Sequence, residues 1–261
     1  MIMMKQILAI SLFVCISLHM AATTIGSRAD SAYNKENYRE AIELYRQSIE
    51  LEGKSSTAYY NLGNAYFRND NLGMAVLNYE RALRLDPTNS DARQNLEFVR
   101  SRIQDRPEDD TTFFSTIHNK VVSAFTPDTW AWLAFAIFVL LAGAVALYIF
   151  SNEIVLRKAG FFGGLVLLFV FAYSLFVAAD AAGTAQSHES AVVTAPSTQL
   201  SSAPRAAKTA SDKVVTIHEG TKVEIVDSVA TPDDPASPKW YEVKINNNTR
   251  AWLRAIDVER I

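Results

Sequence analysis

One cysteine in 261 residues excludes an intramolecular disulfide. That residue, Cys15, sits in the middle of an N-terminal apolar run, which leaves no thiol placed to act as a nucleophile. The four histidines, His19, His118, His188 and His218, have no metal-ligand spacing. There is no G-x-S-x-G and no glycine-rich phosphate loop, and paired carboxylates such as Asp109-Asp110 fall in loop-like sequence with no sign of a buried site. The expectation is a chain without catalytic residues, metal or cofactor. Charge of one sign is also missing: 25 basic against 28 acidic residues leave a net −3, too small and too mixed to call for nucleic acid.

What the chain does have is apolar sequence gathered into three runs, 6–18, 130–150 and 159–179. In the first, Lys5 precedes Ile7 to Leu18, a stretch too short to cross a ~30 Å hydrocarbon core. A basic start, a short apolar run and then Ala21-Ala22 describe a secretory signal peptide over residues 1–22. His19 and Met20 occupy places where cleavage prefers small residues, so an uncleaved anchor stays open. Phe13 and Val14 stand where lipidation of Cys15 would need small residues, against an inert thiol as the other reading.

The other two runs predict transmembrane helices over 129–150 and 159–179. Trp130–Phe150 and Ala159–Ala179 are each 21 residues without a charge, a length of about 30 Å as helix. Thr126-Pro127-Asp128 supplies a capping hydroxyl, a proline at the first helical position and an acid on the positive end of the dipole. Arg157 and Lys158 in the 151–158 connection, with Asp128 and Asp180 at the opposite ends, place that loop in the cytoplasm. Both soluble parts then lie on the far side, the periplasm of a bacterial inner (cytoplasmic) membrane crossed more than once. Gly160 and Gly164 form a small-xxx-small pattern that either admits a close helix partner or reflects the ordinary abundance of glycine in membrane helices.

A repeat of 34 residues precedes the spans: Ala41-Ile42 and Tyr45 recur as Ala75-Val76 and Tyr79. The better copy, 56–89, carries Tyr59, Leu62, Gly63, Tyr66, Ala75, Tyr79, Ala82 and Pro87. On these residues the segment 26–106 resembles the tetratricopeptide repeat family, with a weaker first copy at 26–53 in which Ala29 replaces the glycine. Gly63 and Ala75 are small where two helices approach, Tyr66 and Tyr79 fill between them, and Pro87 stops the second. Two repeats leave an apolar face, and a capping helix over 90–103 follows, with Ala92, Leu96 and Val99 on one stripe. The resemblance implies a concave groove that binds peptide segments, lined by Tyr33 and Asn34, by Tyr60, Asn64, Phe67 and Arg68, and by Gln94 and Arg102. The other reading of the same residues is a solvated polar helix face.

Between repeat and span, Phe113, Phe114, Ile117, Val121 and Phe125 recur at three- and four-residue intervals. They predict an amphipathic helix over 111–126, lying in the membrane interface or packed on the repeats. After the second span, residues 183–211 are rich in Ala, Ser, Thr and Pro and read as a flexible linker. Residues 212–261 then alternate as short strands, for example Tyr241, Val243 and Ile245 against Glu242 and Lys244. Asn246-Asn247-Asn248 is read as a turn and Thr231–Ser237 as a variable loop. His218-Glu219-Gly220-Thr221, Trp240-Tyr241 and Ala251-Trp252-Leu253 make this region similar to the bacterial SH3-like family. There Trp240, Tyr241 and Trp252 are structural residues or ligand contacts.

The fold class expected is therefore a multidomain membrane protein: an all-α tetratricopeptide-type repeat, two transmembrane helices and an all-β SH3-like barrel. In its arrangement the chain resembles the BatE-type proteins of Bacteroides aerotolerance (Bat) operons. That resemblance implies an inner-membrane scaffold working beside von Willebrand A-type Bat proteins and a MoxR-type ATPase system in aerotolerance or envelope stress. The other reading is a cell-wall-binding sensor whose SH3-like domain touches peptidoglycan.

Overall fold

The computed structural model describes residues 25–105, 113–186, 190–206, 209, 212–231, 234–246 and 249–261. The expected signal peptide at 1–22, with Cys15, lies outside the described residues. The 34-residue period decides the first part of the chain. It folds as two helix–turn–helix pairs, α1 (residues 25–34) with α2 (Tyr38–Glu52), and α3 (Ser56–Arg68) with α4 (Leu72–Leu85). A fifth helix, α5 (Ser90–Arg100), follows.

The period reaches the turns as well. Glu36 and Asp70, 34 positions apart, are among the described residues the two non-glycine positions with positive φ, at 61° and 59°. The next N–H in each turn, of Asn37 and Asn71, donates back to Ala32 O at 2.9 Å and Tyr66 O at 3.0 Å. Helix starts are capped by side chains: Ser55 Oγ accepts from Ala58 N, Asn71 Oδ1 from Met74 N, and Asn89 Oδ1 from Ala92 N. Ala41, Tyr45, Leu62, Ala75, Val76, Tyr79, Leu96 and Val99 are buried in the repeat core.

The tight point is Gly63. A Cβ there would stand 2.8 Å from the Tyr79 ring, so the α3–α4 approach depends on a bare backbone at this position. Tyr45 donates to Asp30 Oδ1 at 2.6 Å across α1 and α2.

The C-terminal part is a seven-stranded antiparallel sheet of order β3-β2-β6-β5-β4-β1-β7. Its strands are β1 (Ser190–Val193), β2 (Ser197–Ser201), β3 (Lys213–His218), β4 (Lys222–Thr231), β5 (Asp234–Asn246), β6 (Thr249–Arg254) and β7 (Val258–Arg260). Among the described residues β3 and β7 are its edges and do not pair with each other, so the sheet is open where a closed barrel was expected. Ala191, Val193, Leu200, Ile217, Tyr241, Val243, Leu253 and Val258 form its core.

Two expectations are corrected here. The 183–211 segment is not a linker throughout: a helix runs on to Gln186, and β1 and β2 belong to the sheet, which begins at Ser190 rather than at 212. These strands bring only Ala191, Val192, Val193 and Leu200 as fully buried apolar side chains. Backbone pairing with β4, β7, β3 and β6 holds them in place of bulk. The Thr231–Ser237 insert is not an open loop either, because strand pairing continues to Thr231 opposite Asp234. Of the expected Asn246–Asn248 turn, 247–248 lie outside the described residues.

Helices α1–α5 and the sheet form one compact unit; α6 (Phe113–Val122), α7 (Pro127–Phe150) and α8 (Ile154–Gln186) belong to a second. The α7–α8 connection is residues 151–153, shorter than the expected 151–158, because Ile154 to Lys158 already continue α8. Both helices are long and apolar enough to cross a membrane. In their most apolar stretches only 6% and 17% of residues are buried, unlike core helices of a water-soluble fold. Thr126 Oγ1 accepts from Thr129 N at the start of α7, with Pro127 at the first turn. Gly160 lies against α7: a Cβ would come 2.7 Å from Ala144 O and 2.8 Å from Tyr148 N. α6 runs beside α8, where the His118 ring stacks on Phe176 at 5.4 Å and His118 Nε2 lies 3.2 Å from Asp180 Oδ2.

Candidate partner-binding groove

The first helix of each repeat and the cap supply one continuous face. Tyr33 and Asn34 come from α1, and Tyr60, Asn64, Phe67 and Arg68 from α3. Gln94 comes from α5 and Arg102 from the turn after it. Of the eight residues expected in the groove, Tyr60 packs on the repeat core beside Tyr79, while four, Tyr33, Arg68, Phe67 and Arg102, enter two aromatic–cation clusters. In one, the Arg68 guanidinium lies 4.9 Å over the Tyr38 ring, and Tyr38 meets Tyr33 edge-on at 5.5 Å. Burial raises the Tyr33 hydroxyl pKa against the opposing pull of Arg68. In the other, Phe67 and Phe98 meet at 5.7 Å, and Arg102 covers Phe98 at 4.2 Å and Phe67 at 5.6 Å.

Asn64 sits between the clusters but is used by the fold. Its Oδ1 accepts from the Tyr79 hydroxyl at 2.7 Å and from Asn95 Nδ2 at 2.9 Å, tying α3 to α4 and α5. Burial drives the Tyr79 hydroxyl pKa up. Arg68, Arg102, Asn34 and Gln94 are exposed, and Phe98 keeps 47% of its surface in solvent. An apolar floor bordered by two guanidiniums suits a segment that offers apolar side chains together with carboxylates. Tyr38, Asn95 and Phe98 were missed in the sequence. Phe98 has a readable signal, since it falls four residues after Gln94 on α5 and four before Arg102 in the turn that follows.

The opposite side of α4 carries the sheet. Val192 and Ile261 join the repeat core. Gly73 N donates to Glu219 Oε2 at 3.1 Å, and a Cβ at Gly73 would meet Val193 O at 2.9 Å. Glu80, nearly buried, receives Lys222 Nζ of β4 at 2.9 Å and also pairs with Arg100 of α5. Arg81 Nη2 reaches Glu259 at 2.9 Å and Arg260 O at 2.5 Å, and Arg84 donates to Ile261 O. Beyond α5, Asp105 accepts from His218 N at 2.5 Å and from Thr221 Oγ1 at 2.9 Å, with His218 Nδ1 3.0 Å from its other oxygen.

Burial alone would raise both carboxyl pKa values. For Glu80 the charges of Lys222 and Arg100 outweigh it, and for Asp105 the hydrogen bonds from His218 and Thr221 do. Both are held below the usual carboxylate range.

Within the sheet, Trp240 and Tyr241 are buried on β5 and Trp252 is half-buried on β6. Arg260 lies 5.0 Å over the Tyr241 ring. Buried Asp257 accepts from Thr198 Oγ1 at 2.6 Å and from both Nε and Nη2 of Arg254. Among the described residues no group of three or more His, Cys, Asp or Glu side chains is placed to hold a metal.

Residues 27–90 match the model of the tetratricopeptide repeat family. The N-terminal helices are thus a tetratricopeptide-type repeat, a fold associated with binding other proteins. Among solved structures, the chain is similar to the Arabidopsis OM64 TPR domain, with 22% identity over 32% of this chain and 69% of that one and a TM-score of 0.31.

Proposed function

We propose that this protein is a membrane-held adaptor without catalytic activity, which presents its repeat groove to segments of other proteins on one side of a bilayer. The observation that carries the reading is the pair of clusters Tyr33–Tyr38–Arg68 and Phe67–Phe98–Arg102 on one exposed face. They offer a stacking floor and two charged clamps: Tyr33 and Phe67 rest on the repeat core, and Arg68, Arg102 and Phe98 stay open to solvent. The α7–α8 hairpin serves as the anchor, with lipid around its exposed apolar side chains. Two crossings return a chain to the side it left. Helices α1–α5 before the hairpin and the sheet after it pack as one unit, which agrees with a common side.

The positive 151–158 segment puts that side in the periplasm of a bacterial inner membrane, after export by the 1–22 signal segment. The C-terminal sheet is read as an elaborated SH3-like domain. The arrangement resembles BatE-type proteins, which makes Bat-type von Willebrand A proteins and a MoxR-type ATPase system the partners to look for, in aerotolerance or envelope stress. A photoactivatable residue placed at Gln94 or Phe98 in native membranes tests the groove. Capture of other envelope proteins, reduced by Arg68→Glu, is expected. Crosslinks confined to this chain and to lipid at both positions would overturn the reading.

A further inference from the structure

We infer that the C-terminal sheet sets the third wall of the groove, with Glu80 and Asp105 acting as positioning residues that tie the cap segment to β4 and to the β3–β4 turn. The inference rests on the concave face being the binding face and adds what controls its shape. A terminal helix of a repeat array has a neighbour on one side only, so α5 needs support from elsewhere to hold a fixed angle. The eight residues from Phe98 to Asp105 receive it, because they serve both surfaces at once.

Phe98 and Arg102, four apart, face Phe67 in the groove. Val99 and Ile103 are buried in the core beneath, and both the Arg102 and Ile103 N–H groups donate to Val99 O. Arg100 points the other way, to Glu80, and Glu80 holds Lys222 of the sheet through its second oxygen. Asp105 ends the segment on His218 and Thr221. The contact at Gly220 is tight: a Cβ there would lie 2.8 Å from Ile103 Cγ2, and its φ of 85° already favours glycine. Moving the sheet off α4 would therefore take Lys222 from Glu80 and the His218, Thr221 and Gly220 contacts from Asp105 and Ile103, leaving the segment only its Arg100 pair to α4 and loosening the Phe67–Phe98 wall. Since such coupling is reciprocal in binding free energy, a partner seated on Phe98 and Arg102 also holds the sheet in place.

Amide hydrogen exchange on the full chain in nanodiscs tests this. Lys222→Glu sets two carboxylates against each other, and Lys222→Met removes only the ammonium. With either variant, exchange over residues 92–103 is expected to speed up, on the order of tenfold for the charge reversal, while α2 and α3 keep their protection. Unchanged protection in α5, or a uniform rise across the repeat that signals general destabilisation, would overturn the inference. Should Lys222→Glu fail to fold, Lys222→Met carries the test with spin labels at Asn34→Cys and Gln94→Cys in a Cys15→Ser background. The distance distribution across the groove should broaden relative to the same labels with Lys222 intact; an unaltered one would count against the inference. Neither readout uses a partner, so failure of the adaptor reading and failure of this one are distinguishable.

Discussion

α4 meets its neighbours through two unlike interfaces. Toward α3 the contact is apolar and close, with Gly63 under the Tyr79 ring and Ala75 and Ala82 buried. Toward the sheet it is largely polar, with Glu80, Arg81 and Arg84 each reaching a group on the sheet side and Gly73 seated against β1. The first kind of interface is set by shape and fails when volume is added. The second is set by charge and fails when a partner is removed or protonated. The repeat should therefore hold as a unit under conditions that loosen its grip on the sheet.

The largest expected effect comes from breaking the polar side. Glu80→Ala leaves Arg100 and Lys222 without their shared carboxylate and should cost about 3 kcal/mol, seen as early loss of sheet signals in urea while the helical signal persists. Gly63→Val attacks the apolar side. Its added carbon atoms meet the Tyr79 ring and should cost about 2 kcal/mol, this time lowering the helical transition itself.

The hairpin offers a matched pair of glycines. Gly160→Val is expected to disturb α7–α8 packing, since a Cβ there meets α7 backbone, whereas Gly163→Val, with nothing within 4 Å, should leave it intact. Thermal unfolding in detergent would separate the two, by about 1 kcal/mol or more.

The smallest effect is a pH dependence. Glu80 and Asp105 have folded pKa values below their ordinary ones. Their stabilisation is therefore whole above the ordinary carboxylate range, near pH 4, and is lost as the pH falls through the lowered folded values. Acid titration should release the sheet from the repeat before the helices melt, and Asp105→Asn should flatten part of that dependence.

How much of this was readable in the sequence differs between the regions for physical reasons. A 34-residue period written in small and aromatic residues is a local pattern, so Gly63, Tyr79 and Ala75 point to the helix pairs directly, as do the uncharged runs for α7 and α8. β1 and β2 are different. Four or five residues with Ala, Ser and Thr among them acquire strand structure only from partners about twelve to seventy positions away, and nothing local separates that composition from a linker. The repeat register pointed to positions on α1 and α3, of which Tyr33, Phe67 and Arg68 enter the clusters. Tyr38 lies outside that register, on α2, and Phe98 lies on the cap where the repeat pattern had ended. The bridge from Glu80 through Lys222 to Arg100 joins residues whose proximity only the folded chain creates.

The central claim is that helices α1–α5 before the hairpin and the sheet after it meet on one side of the membrane as a single body. Asp105→Cys with Thr221→Cys tests it most directly, in a Cys15→Ser background oxidised in intact membranes. These positions are 116 residues apart in sequence and joined in the structure by a 2.9 Å hydrogen bond. An intramolecular disulfide in the full-length protein is expected. Thiols that stay reduced, or that link only different copies of the chain, would contradict it.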